Sequence, residues 1–143
     1  MVTKIEHDGK LLALILRAGF SEAGITFFTP TNYSQQLGYM KHKSGHHIVP
    51  HIHNEIKRDV ILTQETLLIK KGVLRVDFYD DSQHYLFSSI LNAGDIILLS
   101  SGGHGFEIIE DIEMVEIKQG PYCGDSDKTR FDVSVPKNLI IKD

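Results

Sequence analysis

A single cysteine, Cys123, leaves the chain no internal disulfide, and a reducing cytoplasm is the compartment this composition leads one to expect. Long hydrophobic runs are also missing. The longest apolar stretches, such as Leu11 to Leu16, fall far short of the about 20 residues that cross a bilayer as a helix. The opening residues, Met1 to Asp8, contain no apolar core of the secretory type. Neither sign of charge dominates: 15 Lys and Arg stand against 19 Asp and Glu, interspersed, for a net charge of -4. No basic stripe suited to phosphodiester backbones follows from that balance. A phosphate loop, a dinucleotide fingerprint and a serine–histidine nucleophile pattern are absent too. The expected partners therefore include neither nucleic acid nor membrane.

What is present is a dense series of short β-type runs. They are Leu11–Arg17, Gly24–Thr29, Gln36–Lys43, Glu65–Lys71, Val73–Tyr79, His84–Leu91, Asp95–Leu99, Phe106–Ile109 and Ile112–Lys118. Breakers separate them: Asp8-Gly9, Gly45, Gly72, Asp80-Asp81-Ser82, Asn92-Ala93-Gly94, Gly102-Gly103 and Glu110-Asp111. Regular turns between short strands predict an all-β sandwich or barrel. With 143 residues and no repeat or linker, one domain over 1–143 is expected. Alternation is sharpest in Leu74-Arg75-Val76-Asp77-Phe78, which predicts Leu74, Val76 and Phe78 in the core and Arg75 and Asp77 in water. Leu11–Leu16 could be helical by periodicity alone. Its shortness and the preceding Asp-Gly favour a strand. The tail from Pro136 is expected either to pair along a sheet edge or to reach a neighbouring subunit.

Four of the eight histidines crowd into Gly45-His46-His47-Ile48-Val49-Pro50-His51-Ile52-His53. On a strand, residues two apart share a face, so His51 and His53 would project side by side about 6.6 Å apart. Two imidazoles so placed can converge on one ion at about 2.0–2.1 Å each. Against this stands the plainer possibility of histidines on a solvated strand face. Glu65 opens a later run that reaches Gly72, and could add an oxygen ligand to a mixed site. His104 follows the double glycine Gly102-Gly103, a position suited to looking into a barrel mouth.

These segments resemble the two motifs of the cupin superfamily. Gly45, five residues, His51-Ile52-His53, then Glu65, six residues and Gly72 resemble the first motif. Gly94-Asp95 through Gly102 and His104 resemble the second. The match covers about residues 38–119. The resemblance implies a double-stranded β-helix (a jelly-roll, or cupin barrel) with His51, His53, Glu65 and His104 as ligands of one divalent metal ion, such as Zn, Fe, Ni or Mn. It also implies a homodimer. The chain departs from the pattern in three places. The His53–Glu65 gap, residues 54–64, is longer than the family's. Ser100 stands for the usual proline, with His104 one residue early. Ile108 stands where an asparagine is common. His46 and His47 are reserve ligands.

Outside the motifs, Lys57-Arg58 could bind an anion, although a solvated loop is the simpler expectation. Residues 119–131, Gln-Gly-Pro-Tyr-Cys-Gly-Asp-Ser-Asp-Lys-Thr-Arg-Phe, form the least ordinary stretch. Tyr122, Lys128 and Arg130 could close over a pocket, or the loop could merely carry the chain round the barrel end. Cys123 has no neighbouring histidine to activate it, and is expected to be inert. His7, His42 and His84 are expected on the surface. A weaker resemblance links this tail, with Thr63-Gln64-Glu65, to small cupins of polysaccharide or sugar metabolism.

Three functions are open on these grounds. One is a metal-dependent enzyme acting on a small polar molecule, a sugar derivative or organic acid, with the ion as Lewis acid or oxygen activator. Another is a non-catalytic barrel that holds a small ligand. The third is a metal-free cupin using His51, His53 or His104 as general acid/base on a sugar nucleotide.

Overall fold

The computed structural model describes residues 1–142, and they fold as an all-β protein. Among them the only helical piece is a single 3-10 turn, Gly124–Asp127, and no helix is long and apolar enough to cross a membrane. The described chain falls into two compact units: Met1–Phe20 with the segment from Leu62 onward, and Ser21–Ile61.

The larger unit is a curled antiparallel sheet, a half-barrel. Its strands are β1 (Val2–His7), β2 (Lys10–Leu16), and, after the smaller unit's β3 (Gly24–Phe27) and β4 (Gly38–Lys41), β5 (Glu65–Tyr79), β6 (Tyr85–Asn92), β7 (Ile96–Leu99) and β8 (Gly103–Lys118). The order across the sheet is β1-β2-β7-β5-β6, with β8 on β5. Leu12 to Leu16 of β2 are all buried, as expected for a strand covered on both faces. With Leu67, Ile69, Leu74, Val76, Phe78, Leu91 and Ile97 they make the core, where each fully buried side chain contributes about 1.5–3 kcal/mol.

Strand β5 organises the unit. Its first residues, Glu65 to Leu68, pair with β7, its last, Val73 to Tyr79, pair with β6, and β8 runs along nearly its whole length. The runs expected to stop at Gly72 and at Glu110-Asp111 are instead continuous. Gly72 has a φ of 84°, and the β5–β8 register shifts around it. A Cβ there would lie 2.1 Å from the Asp111 carbonyl oxygen, so only glycine lets the bulged strands meet. The breaker residues are bulges, and they bend the ladder instead of ending it. β1, which the sequence runs did not include, pairs with β2.

Arg75 and Asp77 are not in water. They are 9% and 3% exposed. Register explains the partners: Arg75 faces Glu107 across β8 and Asp77 faces Ser88 across β6. Arg75 donates to both carboxylate oxygens of Asp77 at 2.8 and 3.0 Å, Ser88 donates to Asp77 at 2.5 Å, and Glu107 lies 2.5 Å from the guanidinium. The tail pairs with β6 beside these residues. Ile141 bridges Ser88 in parallel, Ser88 donates its N–H to Ile140, and Phe131 packs edge-on against Tyr79. Of the two expected fates of the tail, pairing along an edge is the one found.

In the smaller unit β3 and β4 form an antiparallel hairpin, Gly24 opposite Lys41. Its loop is closed by Thr29 and Gln36, whose side chains are 2.8 Å apart, and by Gln36 donating to the carbonyls of Pro30 and Tyr33.

Candidate functional site

At one end of the larger unit the β7–β8 connection turns sharply. Ser100 and Ser101 donate their hydroxyls to the Leu11 carbonyl at 2.5 and 2.8 Å, fixing the bend to β2. Gly102, at φ 70°, lies where a Cβ would come within 2.8 Å of the Tyr79 carbonyl oxygen. The chain can therefore pass close beside β5 before β8 begins, and His104 emerges at the sheet's rim. Glu65 opens β5 beside Leu99, the last residue of β7. The curl of the sheet brings the two side chains together, His104 Nε2 lying 3.3 Å from a Glu65 carboxylate oxygen.

This pair stands in a cleft of about 590 Å³, within the range of small-molecule sites. Its other walls include Thr63, Tyr79 and the segment Asp127–Val133. Tethers hold that segment in place. Thr63 donates its hydroxyl to Asp127 at 3.0 Å, Gln64 donates its N–H to the Gln119 side chain at 2.7 Å, and Phe131 rests on Tyr79. Glu65 and His104 side chains are 13% and 30% exposed, half-sheltered but open to a ligand.

The His104 hydrogen bond is the main influence on the Glu65 carboxyl and holds it below the usual carboxylate range. Burial opposes that effect, and the charges of His104, Lys128 and Lys118 reinforce it. Glu65 is thus an anion at neutral pH, able to accept a proton, a hydrogen bond or a cation.

The structure brings together two of the four expected ligands. His51 and His53 belong to the smaller unit. Their rings meet edge-on with centroids 5.1 Å apart, and both residues are exposed. The strand expected to carry them is absent, because 46–61 has no regular secondary structure. Gly45 takes a φ of 84° and Pro50 has no N–H to give to a ladder, so the run does not pair. His51 Nδ1 lies instead 3.0 Å from the Val49 carbonyl. His46 stacks on His42 with centroids 4.0 Å apart, and His47 is exposed. Within either unit, among the described residues, no group of three or more His, Cys, Asp or Glu is placed to hold a metal. Lys57 and Arg58 are exposed, Lys57 lying 3.9 Å from Asp59.

Of the loop residues singled out in sequence, Lys128 and Arg130 line the cleft, whereas Tyr122 is exposed and outside its walls. Tyr79, Asp127 and Phe131 also form the wall, and no spacing in the sequence marks them. Asp127 and Phe131 do fall in the stretch that stood out by composition. No family model, no curated protein and no solved structure matches the chain.

Proposed function

We propose that the chain is a cupin-type double-stranded β-helix that binds a small polar molecule and acts on it through Glu65 and His104, with one divalent metal ion as cofactor. The approach of His104 to Glu65 inside a cleft of small-molecule size carries this reading. The donor pair suits a metal. A nitrogen and an oxygen 3.3 Å apart match the ligand–ligand edge, about 3.3–3.4 Å, of a tetrahedron with bonds of about 2.0–2.1 Å. The sequence motif adds His51 and His53 to the expected ligand set. Bound there, Zn, Fe, Ni or Mn would supply Lewis-acid polarisation of a carbonyl or hydroxyl, or, if iron, activation of oxygen. Glu65 contributes a charged oxygen, His104 an imidazole nitrogen, and the Asp127–Val133 wall shelters the bound molecule. A sugar derivative or organic acid fits such a site, and a homodimer fits the resemblance.

One observation favours a second reading. A carboxylate that accepts the Nε2–H of His104 fixes the imidazole's tautomer and orientation, which is the arrangement of a metal-free general acid/base. In that case His104 moves a proton on the substrate, a sugar nucleotide for example, with no ion involved.

Elemental analysis of protein expressed without metal supplementation separates the two. Stoichiometric metal that disappears in both His104→Ala and Glu65→Gln supports the first reading. Metal retained in both variants overturns it. Turnover with a panel of sugar phosphates and organic acids supports either enzymatic reading over a barrel that only holds its ligand.

A further inference from the structure

The cleft has one wall that the Glu65–His104 pair does not explain. Lys128 and Arg130 line it from the same short segment. Lys128 is extended, with φ -152° and ψ 151°. Lys128 has no carboxylate within ion-pair distance among the described residues, and its charge helps to lower the Glu65 carboxyl. Arg130 reaches only the fully exposed Asp125, at 4.0 Å. Two acids stand in the same wall: Asp127, already engaged by the Thr63 hydroxyl at 3.0 Å and by Lys118 at 4.0 Å, and Asp132, which is not within ion-pair distance of either cation. Two cations without close partners in one wall of a cleft that also holds the Glu65–His104 pair are the parts of an oxyanion receptor. A lysine and an arginine together suit the several oxygens of a phosphate better than the plane of a lone carboxylate.

We propose that the Asp127–Phe131 segment is a phosphate-recognition arm, so that the molecule presented to Glu65 and His104 carries a phosphate or diphosphate group held by Lys128 and Arg130. This rests on reading the cleft as a small-molecule site, and it narrows the substrate to phosphorylated compounds. The anchors of the arm, Thr63 to Asp127 and Phe131 to Tyr79, fix where the phosphate sits relative to the reactive pair.

The test is titration of the full chain with inorganic phosphate and with pyrophosphate, followed by calorimetry and by the imidazole NMR signals of His104. Saturable binding that shifts His104 is expected. It should weaken about five- to tenfold in Lys128→Gln and in Arg130→Gln, while the control Lys70→Gln, exposed on β5, binds as the parent does. Equal affinity in Lys128→Gln and the parent overturns the proposal, and so does acetate binding as tightly as phosphate. Phosphate binding that vanishes on chelation but survives in Lys128→Gln assigns the anion to a metal ion and also overturns it. A protein with no metal that still binds phosphate through Lys128 would sink the metal reading and leave this one standing.

Discussion

His104 Nε2 lies 3.3 Å from the carboxylate of Glu65, although the β5–β8 ladder pairs His104 with Phe78 at the opposite end of β5. Only a strongly curled sheet allows both relationships. Glu65 reaches His104 through β7, whose Leu99 is its register partner and whose end turns directly into β8. The pair is a product of closure, and so its integrity reports on the curl.

That dependence makes a glycine far from the cleft decisive. Gly72→Ala forces a Cβ against the Asp111 carbonyl at a φ of 84°, and the strain cannot be relieved by a rotamer change. Urea unfolding should show a loss of about 3 kcal/mol. An unchanged midpoint would mean that the bulge is not a fixed part of the ladder.

Acid should selectively remove the contribution of the pair. The Glu65 carboxyl is lowered chiefly by the His104 hydrogen bond, so its stabilisation is fully present above the ordinary carboxylate pKa. It is lost as pH falls through the lower folded value. In the presence of a chelator, the melting temperature of the parent should exceed that of Glu65→Gln at pH 7, with the gap closing between about pH 5 and pH 3. A gap that stays constant across that range would contradict the assignment.

The proposed metal site would have its own pH signature. Imidazole ligands must be neutral to coordinate, so affinity should fall below about pH 6 as protons compete. His104→Ala and Glu65→Gln should each abolish stoichiometric metal while circular dichroism stays that of a β protein. Affinity that is flat from pH 5 to 8 would argue against histidine ligation.

The polar strip on the outer face of β5 should behave as a unit. Asp77→Ala leaves the Arg75 guanidinium largely buried with Glu107 alone, and should cost about 3–5 kcal/mol. Replacing both, Arg75→Met with Asp77→Leu, should recover much of that loss. A double variant as unstable as the sum of the single ones would show that the two side chains act independently.

Strand positions were legible because alternation and turn residues are local signals, and β2, β5, β6 and β7 follow them. Other features depend on what arrives from elsewhere in the chain. Alternation in Leu74–Phe78 separates two faces correctly, yet it cannot tell that Glu107 and Ser88 meet Arg75 and Asp77 on the second one, where both are buried. A glycine between two apolar runs reads the same whether it ends a strand, as at Gly94, or bulges one, as at Gly72. Glu65 and His104 could be singled out from motif spacing, and they do meet. The His-x-His spacing has meaning only on a strand, and the segment carrying His51 and His53 forms none. Lys128 and Arg130 were visible as unusual residues, but their entry into the cleft depends on tethers at Thr63 and Tyr79 that no local pattern encodes.

The two halves of the cleft differ in how they are built. Glu65 heads a strand bonded to neighbours on both sides, whereas the cationic arm lies outside the sheet and is attached by a few side-chain contacts. Sequence change in such an arm perturbs little of the core. A lineage could therefore exchange the arm for one with different charges and change what the cleft admits beside Glu65 and His104, with the scaffold left untouched.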